Sequence, residues 1–145
     1  MPTQIPAHVF TVMCEDIRQE EHGKASILGM YSENIFFKEM PMTMRSLAFF
    51  SRFLGGNGVF RVSIKLKGPT TDLIPGLEIP NEARFPQSKD SELSTLGLVI
   101  GNIEFKEQGL HQYEIYFDNT ADPIIRLCFK VSVRPEIFSS LTPAK

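Results

Sequence analysis

Val59-Phe60-Arg61-Val62-Ser63-Ile64-Lys65-Leu66-Lys67 alternates apolar and polar side chains without a break. Successive side chains of a strand point to opposite faces, so Phe60, Val62, Ile64 and Leu66 share one face and Arg61, Ser63, Lys65 and Lys67 the other. That is the pattern of an antiparallel strand with one face on a core and one in water. Residues 124–134 repeat it, with Ile125, Leu127, Phe129, Val131 and Val133 inward, and residues 110–117 place Tyr113, Ile115 and Phe117 inward. Segments 8–17, 25–31, 45–53 and 96–105 are apolar on both faces, as central strands are. Sustained helical periodicity is nearly absent.

The connections carry hairpin chemistry. Gly55-Gly56-Asn57-Gly58 supplies residues that tolerate positive φ, and Glu21-His22-Gly23-Lys24, 107–109 and 118–122 read the same way. Strand-like runs at this spacing, with no long helix between them, predict an all-β antiparallel sandwich of about eight strands in a single domain spanning 1–145. Two stretches interrupt the rhythm. Pro41 keeps the apolar 35–43 connection out of helix. The long loop 68–93, with Pro69, Pro75, Pro80 and Pro86, is expected to hold an edge strand within 72–79 and a mobile piece around 84–92. A short tail, 135–145, is expected to carry one helical turn at 136–141. A strand end at Ile103-Glu104-Phe105, a turn with Gly109 and then Tyr113 resemble the corner at which immunoglobulin-like sandwiches tie a tyrosine hydroxyl to upstream backbone, so an immunoglobulin-like Greek key is favoured.

Val12-Met13-Cys14-Glu15-Asp16, followed by Gly23-Lys24-Ala25-Ser26-Ile27-Leu28-Gly29-Met30-Tyr31 and the later Gly109 to Tyr113 strand, resembles a family of small bacterial single-domain proteins of unknown function. There, a strand with a Cys-acidic end leads into a Gly-Lys-x-Ser-aliphatic-aliphatic-Gly strand. The resemblance implies a β-sandwich and brings no activity, cofactor or catalytic residue with it.

Composition narrows the function classes. Fifteen basic and seventeen acidic residues give a net charge of −2, without the basic excess that binds nucleic acid or anionic membranes. The longest apolar run, 96–100, is far short of the ~20 residues that span a bilayer, and no signal peptide is evident. Two cysteines are too few for a disulfide-stapled scaffold. A cytoplasmic protein follows as the expectation. Twelve Phe and no Trp mark a core built from one kind of large ring.

No motif carries chemistry outright. His8, His22, His111, Cys14 and Cys128 fall in no metal-ligand spacing, so no metal and no cofactor is expected. Cys14 stands beside Glu15 and Asp16, which disfavour a thiolate, and Cys128 lies between Leu127 and Phe129. Glu15 and Asp16 point to opposite faces of a strand and cannot jointly flank a bond. Gly55-Gly56-Asn57-Gly58 lacks the lysine of a phosphate loop. Two surface features stand above background. Arg61, Lys65 and Lys67 share one outward face, and Arg45 and Arg52 lie on the strand expected to pair with it; Phe50 and Met30 are apolar at outward positions. A charged face that guards a sheet is the plainer account of the first.

The expected function is a non-enzymatic binding or assembly module acting through a sheet face or loops, with Arg45, Arg52, Arg61, Lys65, Lys67 and Phe50 as candidate binding residues and an unidentified protein as partner. A small-ligand sensor or enzyme with its site under the 68–93 loop, and a homo-oligomer formed through an exposed edge strand, are the alternatives.

Overall fold

The alternating segments become strands in the computed structural model, which describes residues 3–79, 82–85, 93–118 and 120–140. In chain order these are β1 (Ala7–Gln19), β2 (Ala25–Tyr31), β3 (Asn34–Phe37), β4 (Met42–Leu54), β5 (Gly58–Phe60), β6 (Val62–Lys67), β7 (Asp72–Glu78), β8 (Ala83–Phe85), β9 (Leu93–Phe105), β10 (Gly109–Phe117) and β11 (Ile125–Val133). A short helix, α1 (Pro135–Ser140), follows. One sheet runs β2-β1-β4-β9, a second β3-β11-β10-β6-β7, and β5 and β8 form a two-stranded ribbon. Every pairing is antiparallel except β3 with β11.

The two larger sheets face each other across a phenylalanine-rich core. Leu47, Phe49, Phe53 and Phe105 come from the first sheet, and Ile64, Leu66, Tyr113, Ile115, Phe117 and Phe129 from the second. Phe49 stacks on Tyr113 across the gap, with ring centroids 3.7 Å apart and planes 2° from parallel. The ribbon adds Phe60, Ala83 and Phe85 to the same cluster. All-β sandwich architecture therefore follows from period-two patterning, and the strands beyond the expected eight are the short β3, β5 and β8.

Three expectations are corrected. The run 59–67 is not one strand: Arg61 leaves the ladder because its N–H donates to Asp118 Oδ1 at 2.8 Å and its carbonyl accepts from the Asp118 N–H at 2.8 Å. Gly55-Gly56-Asn57-Gly58 does not close a hairpin. It carries the chain from the first sheet to the ribbon and second sheet, as 106–108 carries it from β9 to β10, whereas 20–24 and 118–124 do join paired strands. The tyrosine corner is absent as well. Tyr113 is fully buried and its hydroxyl has no hydrogen-bond partner among the described residues, so this support for immunoglobulin-like connectivity is lost. The proposed edge strand is β7 and the helical turn is α1, while most of the piece around 84–92 lies outside the described residues.

That orphan hydroxyl gives a signed prediction. A buried, unpaired hydroxyl costs about 1–3 kcal/mol of desolvation, and Phe keeps the ring stack on Phe49. Tyr113→Phe should therefore raise stability by about 1 kcal/mol, read as a higher urea midpoint with an unchanged slope; a loss of stability would show that the hydroxyl is satisfied in solution.

Candidate functional site

Sheet edges expose unpaired backbone N–H and C=O groups, and the four edges of the two sheets differ in how they are protected. β3 is only four residues long. β7 carries Pro75 and shifts register twice against β6. β2 is interrupted by Gly29, at φ +63, with the Glu15 side chain folded over it. Of these devices β9 carries only a positive-φ residue near its C-terminal end, Asn102 at φ +54. The strand is thirteen residues long, pairs with β4 from Leu93↔Leu54 to Phe105↔Met42 without a register shift, and has no charged residue from Leu93 to Ile103. Its other side has no strand partner among the described residues.

Beside this edge, where the open borders of the two sheets approach, lies a cavity of about 420 Å³. β7 and the turn before it contribute Thr71, Asp72, Leu73 and Ile74. β9 and the crossover after it contribute residues 100–104, Lys106 and Glu107, and β10 contributes His111. Asn102 stands at φ +54, a conformation asparagine tolerates better than most residues, and the ladder to β4 skips it, pairing Met44 with Ile103 and Ser46 with Gly101. Glu107 ties the two sides: its carboxylate accepts from the Thr70 N–H at 3.1 Å and from the Thr70 hydroxyl, and these bonds hold it below the usual carboxylate range.

His111 is 1% exposed and flanked by Phe105 and Phe129, with ring centroids 5.4 and 5.5 Å away. Its Nδ1 lies 3.0 Å from the Gly109 carbonyl oxygen, which can only accept, so Nδ1 carries the proton and donates. Nε2 is then a bare lone pair with no partner among the described residues. Burial pushes the imidazole below its ordinary pKa despite the Gly109 bond and the nearby Glu107 charge, which oppose the shift. The neutral ring thus carries a buried, unpartnered acceptor on a residue that lines the cavity.

The predicted basic cluster is divided by the topology. β4, with Arg45 and Arg52, pairs with β1 and β9, while β6, with Lys65 and Lys67, pairs with β10 and β7; the expected β4–β6 pair does not exist. Arg45 is exposed, Arg52 lies over the Phe10 ring at 5.9 Å, and Arg61 sits exposed between β5 and β6. Phe50 is not a free apolar surface. It is 6% exposed, because the β1–β2 hairpin bends over this face: a Cβ at Gly97, the register partner of Phe50, would stand 3.5 Å from Ile17 Cδ1. Met30 does remain exposed, at 67%.

Lys67 serves another purpose. It reaches Glu114 Oε1 at 2.9 Å, Arg126 Nε donates to Glu114 Oε2 at 3.0 Å, and the Tyr116 hydroxyl donates to Oε1 at 3.1 Å. Lys65 lies over the Tyr116 ring at 4.9 Å. Glu114 occupies the outer face of β10, yet this single layer of side chains leaves it no exposed surface. Alternation predicts its outward position but not its cover, because Lys67 and Arg126 come from strands on either side. The cover disfavours the charged carboxylate, but the three hydrogen bonds together outweigh it and lower the pKa.

A carboxylate whose folded pKa is depressed stabilises the protein above its unfolded pKa, about 4.3, and loses that contribution as pH falls through the lower folded value. In this acid window wild type should lose stability more steeply than Glu114→Gln. Chemical denaturation at a series of pH values checks this, and parallel curves would show that Glu114 titrates equally in both states.

The thiols stand apart. Cys14 is buried in β1 with Sγ donating to the Asp16 carbonyl at 3.5 Å, burial raises its pKa, and Cys128 is exposed on the other sheet; both are free. Among the described residues no group of three or more His, Cys, Asp or Glu is placed to hold a metal ion, and no helix is long and apolar enough to cross a membrane.

With the geometry in view, comparison with known proteins settles the family. The family model for a family of unknown function, DUF6941, matches residues 9–131. This chain belongs to the DUF6941 family. No curated protein matches it. Among solved structures, a β-glucosidase from Listeria innocua is similar at 10% identity and a TM-score of 0.39, over 68% of this chain and 14% of that one. DUF6941 membership agrees with the unknown-function family that the Cys-acidic and Gly-Lys-x-Ser segments resemble.

Proposed function

We propose that this DUF6941 protein is a non-enzymatic binding module that accepts an extended segment of another protein as an added strand along β9. The observation that carries this reading is the contrast among the edges: β9 alone combines thirteen residues, a constant register and an uncharged run from Leu93 to Ile103. Added strands gain affinity from main-chain hydrogen bonds and specificity from pockets beside the edge, and the cavity at residues 100–104 is such a pocket. A second copy is the less suitable occupant. The cavity is lined by Asp72, Glu104 and Glu107 against Lys106, and β9 itself offers only Glu104 as a charged residue, so β9 pairing with β9 brings like charge to an acidic wall. A reducing cytoplasmic setting suits the two free thiols.

The test is selection of displayed random peptides on the protein, followed by amide hydrogen exchange of the complex with the best peptide. Protection of the β9 amides, abolished binding in Val99→Lys and a monomer by light scattering are the expected results. Val99 is 48% exposed, so the lysine stays solvated and the fold is retained. Selected peptides that leave β9 unprotected, or that bind Val99→Lys equally well, would overturn the proposal.

A further inference from the structure

Resting on the strand-addition reading, we infer that the cavity beside β9 is a recognition pocket for one long basic side chain, lysine or arginine, of the incoming segment. Charge comes first. Asp72, Glu104 and Glu107 face the space against one ammonium, Lys106. Lys106 is 3.6 Å from Glu104 and Glu107 is engaged with Thr70, while Asp72 makes no salt bridge among the described residues, although its charge also reaches its register partner Lys67, which is itself held by Glu114. An independent observation points the same way. His111 is 1% exposed and its unpartnered Nε2 can only accept a hydrogen bond while Nδ1 donates to Gly109, so the ligand group that meets it must be a donor. Ammonium and guanidinium groups are donors without an acceptor atom, and carboxylates offer none. The apolar wall of Leu73, Ile74, Ile100 and Ile103 matches the alkyl stem such side chains lay along apolar surface. A volume of about 420 Å³ is ample for that stem and its head.

The side chain can be tested without the strand. Titrating the full chain with n-butylguanidinium or n-butylammonium, and following backbone amides by NMR, should give saturable shifts at Asp72, residues 100–104 and His111. Butanoate should give none at the same concentration. Asp72→Asn should weaken the cation's binding by about tenfold, since the amide oxygen can still accept but the carboxylate's charge is lost. His111→Phe keeps a ring between Phe105 and Phe129 while removing Nε2, and should weaken it similarly. Absence of saturable shifts, equal binding of butanoate, or undiminished binding to Asp72→Asn would overturn the pocket, and the last holds even where His111→Phe does not fold. Cation binding in a protein whose β9 stays unprotected by peptides would sink strand addition and keep the pocket. Protected β9 with no cation binding would do the reverse.

Discussion

Phe117→Ala is expected to destabilise the protein by about 3–5 kcal/mol, lowering the thermal midpoint by roughly 10 °C or more. Phe117 has no exposed surface, and its ring stands 5.2 Å from Phe60 and 5.9 Å from both Phe53 and Phe85. It is therefore where β10, β4 and the β5–β8 ribbon meet. Truncation opens a cavity lined by rings that are themselves held on three separate elements, and such walls collapse poorly. Phe10→Ala is the contrasting measurement. Phe10 is 39% exposed and packs against Phe50 and Arg52 of β4, so its loss should be a fraction of the Phe117 value. Equal losses in the two variants would mean that the core is not organised around Phe117.

Gly56→Ala comes second, with an expected loss of about 2–4 kcal/mol, the sum of left-handed backbone strain and overpacking. Gly56 adopts φ +95, and a Cβ there would stand 2.7 Å from Pro6 Cβ and 3.0 Å from Pro6 Cα. The backbone atom cannot step aside, because the neighbouring Gln4 and Asn57 bond each other in both directions, at 2.7 and 2.8 Å. Gly76→Ala isolates the conformational part. Gly76 has φ +132 but meets only Lys65 Cε, at 3.8 Å, so its substitution should cost about 1–2 kcal/mol. Urea unfolding of the two variants side by side reads the difference; a Gly56→Ala loss no greater than that of Gly76→Ala would show that the Pro6 contact yields.

These predictions rest on residues the sequence makes legible to very different degrees. Phe117, Phe129 and Ile64 announce themselves as core by alternation alone, because a strand's period of two sorts side chains whatever its partners are. Gly55, Gly56 and Gly58 announce positive φ, and all three have it. Alternation does not say which strand lies beside which. Adjacency in sequence pairs the two basic strands, yet the glycine turn crosses between sheets and sends Arg45 and Lys65 to opposite layers. Phe50 stands at an outward position by alternation, yet the β1–β2 hairpin covers it.

The candidate site shows the same division. In sequence, His111 is a polar residue opening a strand, at an inward position that alternation would fill with an apolar one; that mismatch is the signal that could have singled it out. Asp72 belongs to a proline-rich loop and Asn102 to a strand end, with about thirty residues between them. Only pairing brings them to one cavity, since β7 ends one sheet and β9 the other. Segment 96–105, apolar on both faces, reads in sequence as a central strand, yet β9 is an edge because no strand lies beyond it among the described residues.

By itself, then, the sequence determined the all-β class, nearly every long strand, the inward set of each and the phenylalanine core, because these depend on local periodicity and turn chemistry. Tertiary structure alone decided which edges stay open, that Glu114 would be enclosed by Lys67, Arg126 and Tyr116, and that His111 would keep an unpaired nitrogen at a cavity wall. Those outcomes depend on sheet order, and sheet order is set by long-range packing that no single stretch of this chain encodes.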